Sequence, residues 1–168
     1  MQKKEKEIKD IHEIEAIIHR AKVCRLGLAV DNTPYVVPVN YGYKNSCLYV
    51  HCAKQGRKID MIRQNNRICF EMDIEAKIWN RDKYACNWSS SYRSVIGYGN
   101  AFLLEDPEEK KQALDIIMNH YSDRDSFQYP KETVETVGII KIVIDQLSGK
   151  KSGGQQVSRS EDKGTVSR

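Results

Sequence analysis

Short runs of apolar and polar residues alternating with a period of two, joined by turn-length connections, restrict this 168-residue chain more than any other feature. Cys24, Leu26, Leu28 and Val30 alternate with Arg25, Gly27 and Ala29, the pattern of a strand with one buried face. Asp31-Asn32-Thr33-Pro34 then supplies turn chemistry. A second strand is expected over residues 35–43, a turn at Lys44-Asn45-Ser46, and a third strand over residues 47–53. Connections this short imply antiparallel neighbours. Three more strands are expected over residues 67–75, 92–105 and 134–147, the middle one bulged or bent at Gly97 and Gly99. Residues 76–91 read as strand plus loop.

Three helices interrupt the strands. Residues 10–22 form an amphipathic pattern, with Asp10 as N-cap and Ile14, Ile17, Ile18 and Ala21 on one stripe. A short helix opens at Gly56-Arg57-Lys58 and ends at Asn65-Asn66. Asp106-Pro107-Glu108-Glu109 places an N-cap, a proline at the first helical position and an acid three residues past the cap. That helix is expected to run to about residue 121, followed by a loop over 122–133. About six antiparallel strands with helices at the ends give a mainly β, α+β fold: a closed or partly open barrel.

Composition narrows the function classes. Apolar residues make up 40% and charged residues 30% of the chain, as in a globular domain. No stretch approaches the ~18 consecutive apolar residues of a membrane span. The start, Met-Gln-Lys-Lys-Glu-Lys-Glu, has no apolar run behind it, so a cytoplasmic protein with no membrane partner is expected. Five cysteines without C-x-x-C spacing argue for reduced, structural thiols and against a disulfide framework or a metal site. Of the net charge of +4, five Lys/Arg against two Asp/Glu place +3 in residues 148–168. The folded part is close to neutral, so no nucleic-acid partner is expected. The reading is one domain over residues 1–147 and a flexible Gly/Ser/Lys-rich tail over 148–168. His12, His19 and His120 fall on helix surfaces or ends and are expected to carry no chemistry.

Three stretches carry candidate chemistry. In His51-Cys52-Ala53-Lys54-Gln55-Gly56-Arg57-Lys58 a strand becomes a helix. Cations in a first turn oppose the helix dipole, so the junction is either a solvated basic turn or a phosphate site in which backbone N–H groups, dipole and cations act together. In Val37-Pro38-Val39-Asn40-Tyr41 a proline removes a ladder donor inside a strand. That marks either a plain edge strand or one whose backbone faces a planar ligand. Trp88-Ser89-Ser90-Ser91-Tyr92-Arg93-Ser94 mixes an aromatic, hydroxyls and a cation, as wet pockets and interfaces do, and as ordinary loops do.

Together these words resemble the pyridoxamine 5'-phosphate oxidase-like family of FMN-binding split barrels, and within it the nitroimidazole-resistance branch. The likeness is carried by residues 22–28, 34–43, 48–60, 92–101 and 105–110 in family order, over about residues 10–147. It implies a six-stranded split β-barrel with flanking helices, and a homodimer with FMN at the subunit interface. It implies that Val37, Pro38, Val39, Asn40 and Tyr41 line the flavin ring, largely through backbone atoms. His51 and Cys52 would lie beside the ribityl chain and ring, Arg57 and Lys58 would clamp the phosphate, and Ala53, Lys54 and Gly56 would belong to the same cofactor-binding segment. Trp88, Ser91, Arg93 and Ser94 would come from the other subunit. The family's vitamin B6 oxidases end in an Arg-Leu segment, where this sequence has Lys-Lys-Ser-Gly-Gly-Gln-Gln, so B6 oxidation is not expected.

The expected activity is that of an FMN-dependent oxidoreductase reducing small electrophiles such as 5-nitroimidazoles. His51 is the candidate catalytic residue, donating a proton or orienting the substrate, since an imidazole titrates near ~6.5. The alternatives are a flavin or haem carrier without dedicated catalysis, and a reductase using the deazaflavin F420. No Gly-rich dinucleotide fingerprint accompanies these residues.

Overall fold

The computed structural model describes residues 4–79, 83–124 and 126–153. Its elements are β1 (Glu7–Ile8), α1 (Ile11–Arg20), β2 (Cys24–Val30), β3 (Thr33–Val39), β4 (Gly42–Lys44), β5 (Cys47–Ala53), α2 (Arg57–Gln64), β6 (Arg67–Trp79), β7 (Ser89–Leu104), α3 (Pro107–Tyr121), α4 (Lys131–Thr136) and β8 (Val137–Ser152). All the described ladders are antiparallel and join into one sheet in the order β3-β2-β6-β7-β8-β5-β4, with β1 paired to β8. The curled sheet does not close. Its two free edges, β3 and β4, are consecutive in the chain and connected through Asn40 and Tyr41, so the fold is a split β-barrel.

The period-two runs fold as their turns dictate. Asp31 and Asn32 (φ 47° and 59°) join β2 to β3, and Asn45 and Ser46 (φ 51° and 56°) join β4 to β5. Two left-handed residues in a two-residue loop match the twist of a hairpin, and short polar side chains tolerate that region best. Leu26, Phe70, Met72, Leu48, Val50, Val95, Ile140 and Ile142 fill the interior with α1's Ile14, Ile17 and Ile18. α1 packs on β6 and β7, α2 on β2, and α3 on β4 and β5. The expected caps are present: the Asp10 carboxylate accepts from the His12 N–H at 2.9 Å, and Asp106 accepts from Glu108 and Glu109 at 3.0 and 2.9 Å.

The structure departs from the sequence reading in five places. The six long strands are joined by two short ones, β1 and β4. The second expected strand breaks at Asn40–Tyr41, because the chain there leaves one edge of the sheet for the other. β6 continues to Trp79 through a bulge at Ile74–Lys77, with Glu75 at φ 59°, and β7 begins at Ser89 rather than residue 92. Residues 131–136 are helical despite the β-branched Thr133, Val134 and Thr136, because burying Val134 as part of a helical turn outweighs strand propensity. Finally, β8 runs past residue 147 to Ser152, pairing Lys150 and Lys151 with Ser94 and Arg93. The rest of the expected tail, residues 154–168, lies outside the described residues.

Candidate functional site

Where the barrel is split, an open groove of about 430 Å3 is lined by Val23, Pro38, Val39, Asn40, His51 and Lys58. β3 forms one wall. Among the described residues it pairs only with β2, placing Pro38, which has no N–H, opposite Arg25, so the missing donor costs the ladder nothing on this edge. Val37 and Val39 turn their side chains to the core, while Pro38 and Asn40 are exposed. β5 forms the facing wall. Val50 is fully buried and Cys52 packs against the core, so alternation turns His51 and Ala53 outward. Burial pushes the Cys52 thiol up, and the ammonium of Lys58 works in the opposite direction.

The floor is the N-terminus of α2. Gly56 caps it at φ 122° and ψ 169°, a conformation that a side chain rarely adopts, with open space where a Cβ would sit. Its carbonyl accepts from the Ile59 and Asp60 N–H groups at 2.9 and 3.1 Å, and no side chain caps the helix. Among the described residues the Arg57 and Lys58 N–H groups take no such partner and are open to an external acceptor. The Arg57 guanidinium lies over the Tyr35 ring, 4.6 Å from its centroid. Asp60 turns toward Arg63 at 3.8 Å, and among the described residues neither Arg57 nor Lys58 forms an ion pair.

Other candidates lie elsewhere. Tyr41 is fully buried, its hydroxyl against the Ile18 and Ala21 carbonyls and its N–H on the Tyr121 hydroxyl. Neither its ring nor its backbone donor faces the groove. Ala53 ends β5 opposite Val137, and Lys54 lines a separate cavity of about 60 Å3 with Arg63, Glu105 and Lys110. The Trp88 stretch is remote in the protomer. Trp88 is exposed beside Trp79, Cys86, Lys6 and Lys151. Ser91 and Ser94 pair with Lys77 and Asp73 in the β6–β7 ladder. Arg93 is held by Glu13 at 3.1 Å and Glu75 at 3.2 Å.

Sequence reasoning missed three participants. Val23 joins the groove wall, Tyr35 carries the Arg57 guanidinium, and His120, expected on a helix surface, is half-buried with Nε2 2.7 Å from the Ala21 carbonyl. Burial lowers the His120 pKa below the ordinary histidine value. Val23 and Tyr35 lay inside the words that carry the resemblance; nothing local marked His120.

The sequence pattern of the pyridoxamine 5'-phosphate oxidase family matches residues 10–151, from the cap of α1 almost to the end of β8. The chain belongs to this family. No curated protein matches it. Among solved structures, this oxidase-family chain is 38% identical to a candidate 5-nitroimidazole antibiotic resistance protein of Bacteroides thetaiotaomicron, over 86% of each chain and with a TM-score of 0.78. It also superposes on an FAD- and haem-binding protein of Mycobacterium smegmatis (14% identity, 89% of this chain and 74% of that one, TM-score 0.80). A flavocytochrome of Azotobacter vinelandii is similar as well (19% identity, 88% and 70%, TM-score 0.77). The last two share the family's fold at identities that carry the fold alone. No helix among the described residues is long and apolar enough to cross a membrane.

Proposed function

We propose that the chain is a homodimeric FMN flavoprotein that reduces small electrophiles, with nitroimidazoles as the model substrates. The observation that carries this reading is the N-terminus of α2, which no side chain caps, with Arg57 and Lys58 beside it, at the floor of a 430 Å3 groove in the barrel split. That volume falls in the range of about 300–1,000 Å3 typical of small-molecule sites. A terminal phosphate suits the open N–H groups, the helix dipole and the two cations. The 38% identity to a candidate 5-nitroimidazole resistance protein supports the substrate class.

In this reading Pro38, Val39 and Asn40 present edge backbone and one amide side chain to the flavin ring, and Cys52 lies behind His51. The bound FMN supplies the redox chemistry. His51, exposed on the groove wall, holds a proton at its imidazole and delivers it to, or orients, the substrate. The second subunit is supported by the sheet's outer face. Val36, Ile96, Tyr98, Phe102 and Val143 are 65, 42, 42, 48 and 41% exposed there, more apolar surface than scattered single residues account for. In this reading, as the resemblance implies, Trp88, Ser91 and Ser94 of the partner subunit complete this groove, while Arg93 keeps its carboxylates.

The test is anaerobic consumption of a 5-nitroimidazole by protein loaded with FMN and reduced beforehand. His51→Ala should retain flavin and slow turnover about 100-fold. An unchanged rate would remove His51 from the chemistry, and a Soret band in the purified protein would replace FMN by haem.

A further inference from the structure

The groove's first wall hangs on the last two residues of α3. Val23 begins just after Lys22, and Pro38, Val39 and Asn40 end just before Tyr41. β3 is a sheet edge, so no ladder holds its outer side or the crossing at Asn40–Tyr41. The Tyr121 hydroxyl does so instead. It donates to the Lys22 carbonyl at 3.0 Å and accepts from the Tyr41 N–H at 3.0 Å, bridging the two segments that carry Val23 and Asn40. His120 reinforces the bridge. A carbonyl oxygen can only accept, so the 2.7 Å contact to Ala21 means that Nε2 carries the proton. The same Ala21 oxygen accepts from the Tyr41 hydroxyl at 3.0 Å, and the Tyr41 and His120 rings pack 4.5 Å apart.

Close packing sets where this end of the helix lies. A Cβ on Gly42 would lie 2.5 Å from the Ile116 carbonyl oxygen and 2.7 Å from the Ile117 nitrogen, so α3 and the start of β4 meet backbone to backbone. With α3 fixed, the position of Tyr121 is set by the fold, and the hydroxyl transmits it to both segments.

We propose that the Tyr121 hydroxyl is a positioning group that sets the spacing of Val23 and Asn40 in the groove, and through it how firmly a flavin ring is held. The assignment rests on the flavin reading above. Tyr121→Phe removes the two hydrogen bonds and keeps the ring. Tyr129→Phe is the control, because its hydroxyl also bonds to α3, at Asp115 (2.9 Å), but touches neither groove segment.

Two measurements decide it. In flavin-free protein, amide hydrogen exchange at Tyr41 and Asn40 should accelerate about tenfold in Tyr121→Phe and stay at the wild-type rate in Tyr129→Phe. With FMN, Tyr121→Phe should raise Kd about tenfold and weaken the visible circular dichroism of the saturated flavin, a signature that general destabilisation does not move. Wild-type exchange at Tyr41, or an unchanged Kd and dichroism in Tyr121→Phe, overturns the proposal. Equal effects in the two variants also overturn it. If wild-type protein takes up no flavin, the flavin reading fails instead, and exchange alone decides the role of Tyr121 in the groove.

Discussion

Two groups of cations in this barrel are handled in opposite ways. Arg20, Arg93 and Lys151 converge on two carboxylates: Glu75 takes Arg20 at 2.6 Å and Arg93 at 3.2 Å, and Glu13 takes Arg93 at 3.1 Å and Lys151 at 2.9 Å. They tie α1 to the bulge of β6 and to the end of β8. Arg57 and Lys58 have an aromatic ring and a groove but no carboxylate among the described residues. A cation whose charge is answered within the fold fastens elements together. One left unanswered at an uncapped helix start, where its own dipole opposes it, is available to an anion. The same residue types therefore carry different roles, and only the partners reveal which.

Removing the unanswered pair should have the largest effect. Arg57→Ala with Lys58→Ala should weaken FMN binding about 100-fold, since each charge-assisted contact to phosphate is worth roughly tenfold. The Tm should stay within about 1 °C, because cations without ion-pair partners contribute little to folding. A fall in Tm without loss of affinity would reverse the two roles. Trp88→Ala comes next: about tenfold weaker FMN in titration is expected if the arm completes a partner's groove, and no change is expected if each groove works alone.

Glu75→Gln should do the converse of the first variant. It should lower Tm by about 1–3 °C, as exposed ion pairs are individually weak, and leave FMN affinity unchanged.

The pH dependence separates the regions further. Hydrogen bonding from Arg20, with the charges of Arg20 and Arg93, holds the Glu75 carboxyl below its ordinary value. Its stabilisation is complete above the ordinary carboxylate range and is lost as pH falls through the depressed folded value. His120, lowered chiefly by burial, acts earlier. The unfolded chain takes up a proton near the ordinary 6.5 while the folded chain resists, so stability falls as pH drops below that point. Thermal melts should therefore show two acid limbs, the upper abolished by His120→Gln and the lower reduced by Glu75→Gln.

The hairpins and caps were legible because their chemistry is local. Asp31-Asn32 and Asn45-Ser46 announce left-handed turns, and Asp106-Pro107 announces a helix start. The α4 turn was not legible, because Val134 is drawn into a helix by burial that no neighbour in sequence encodes. The split barrel was legible through the family resemblance, but the place of the split was not legible locally: only the sheet order shows the chain crossing between two edges at Asn40–Tyr41. His51, Asn40 and Lys58 were singled out from sequence and do meet in one groove. Tyr41 was singled out with them, and its ring is buried in the core. The bridge from Tyr121 to Lys22 spans 99 residues, beyond the reach of any periodicity.

The most direct test of the central claim, that the start of α2 grips a phosphate, is to titrate flavin-free protein with FMN and with riboflavin, which differ by that phosphate alone. FMN should bind at least about 100-fold more tightly, with the preference abolished in the Arg57→Ala, Lys58→Ala variant. Equal affinity for the two flavins in the wild-type protein would contradict it.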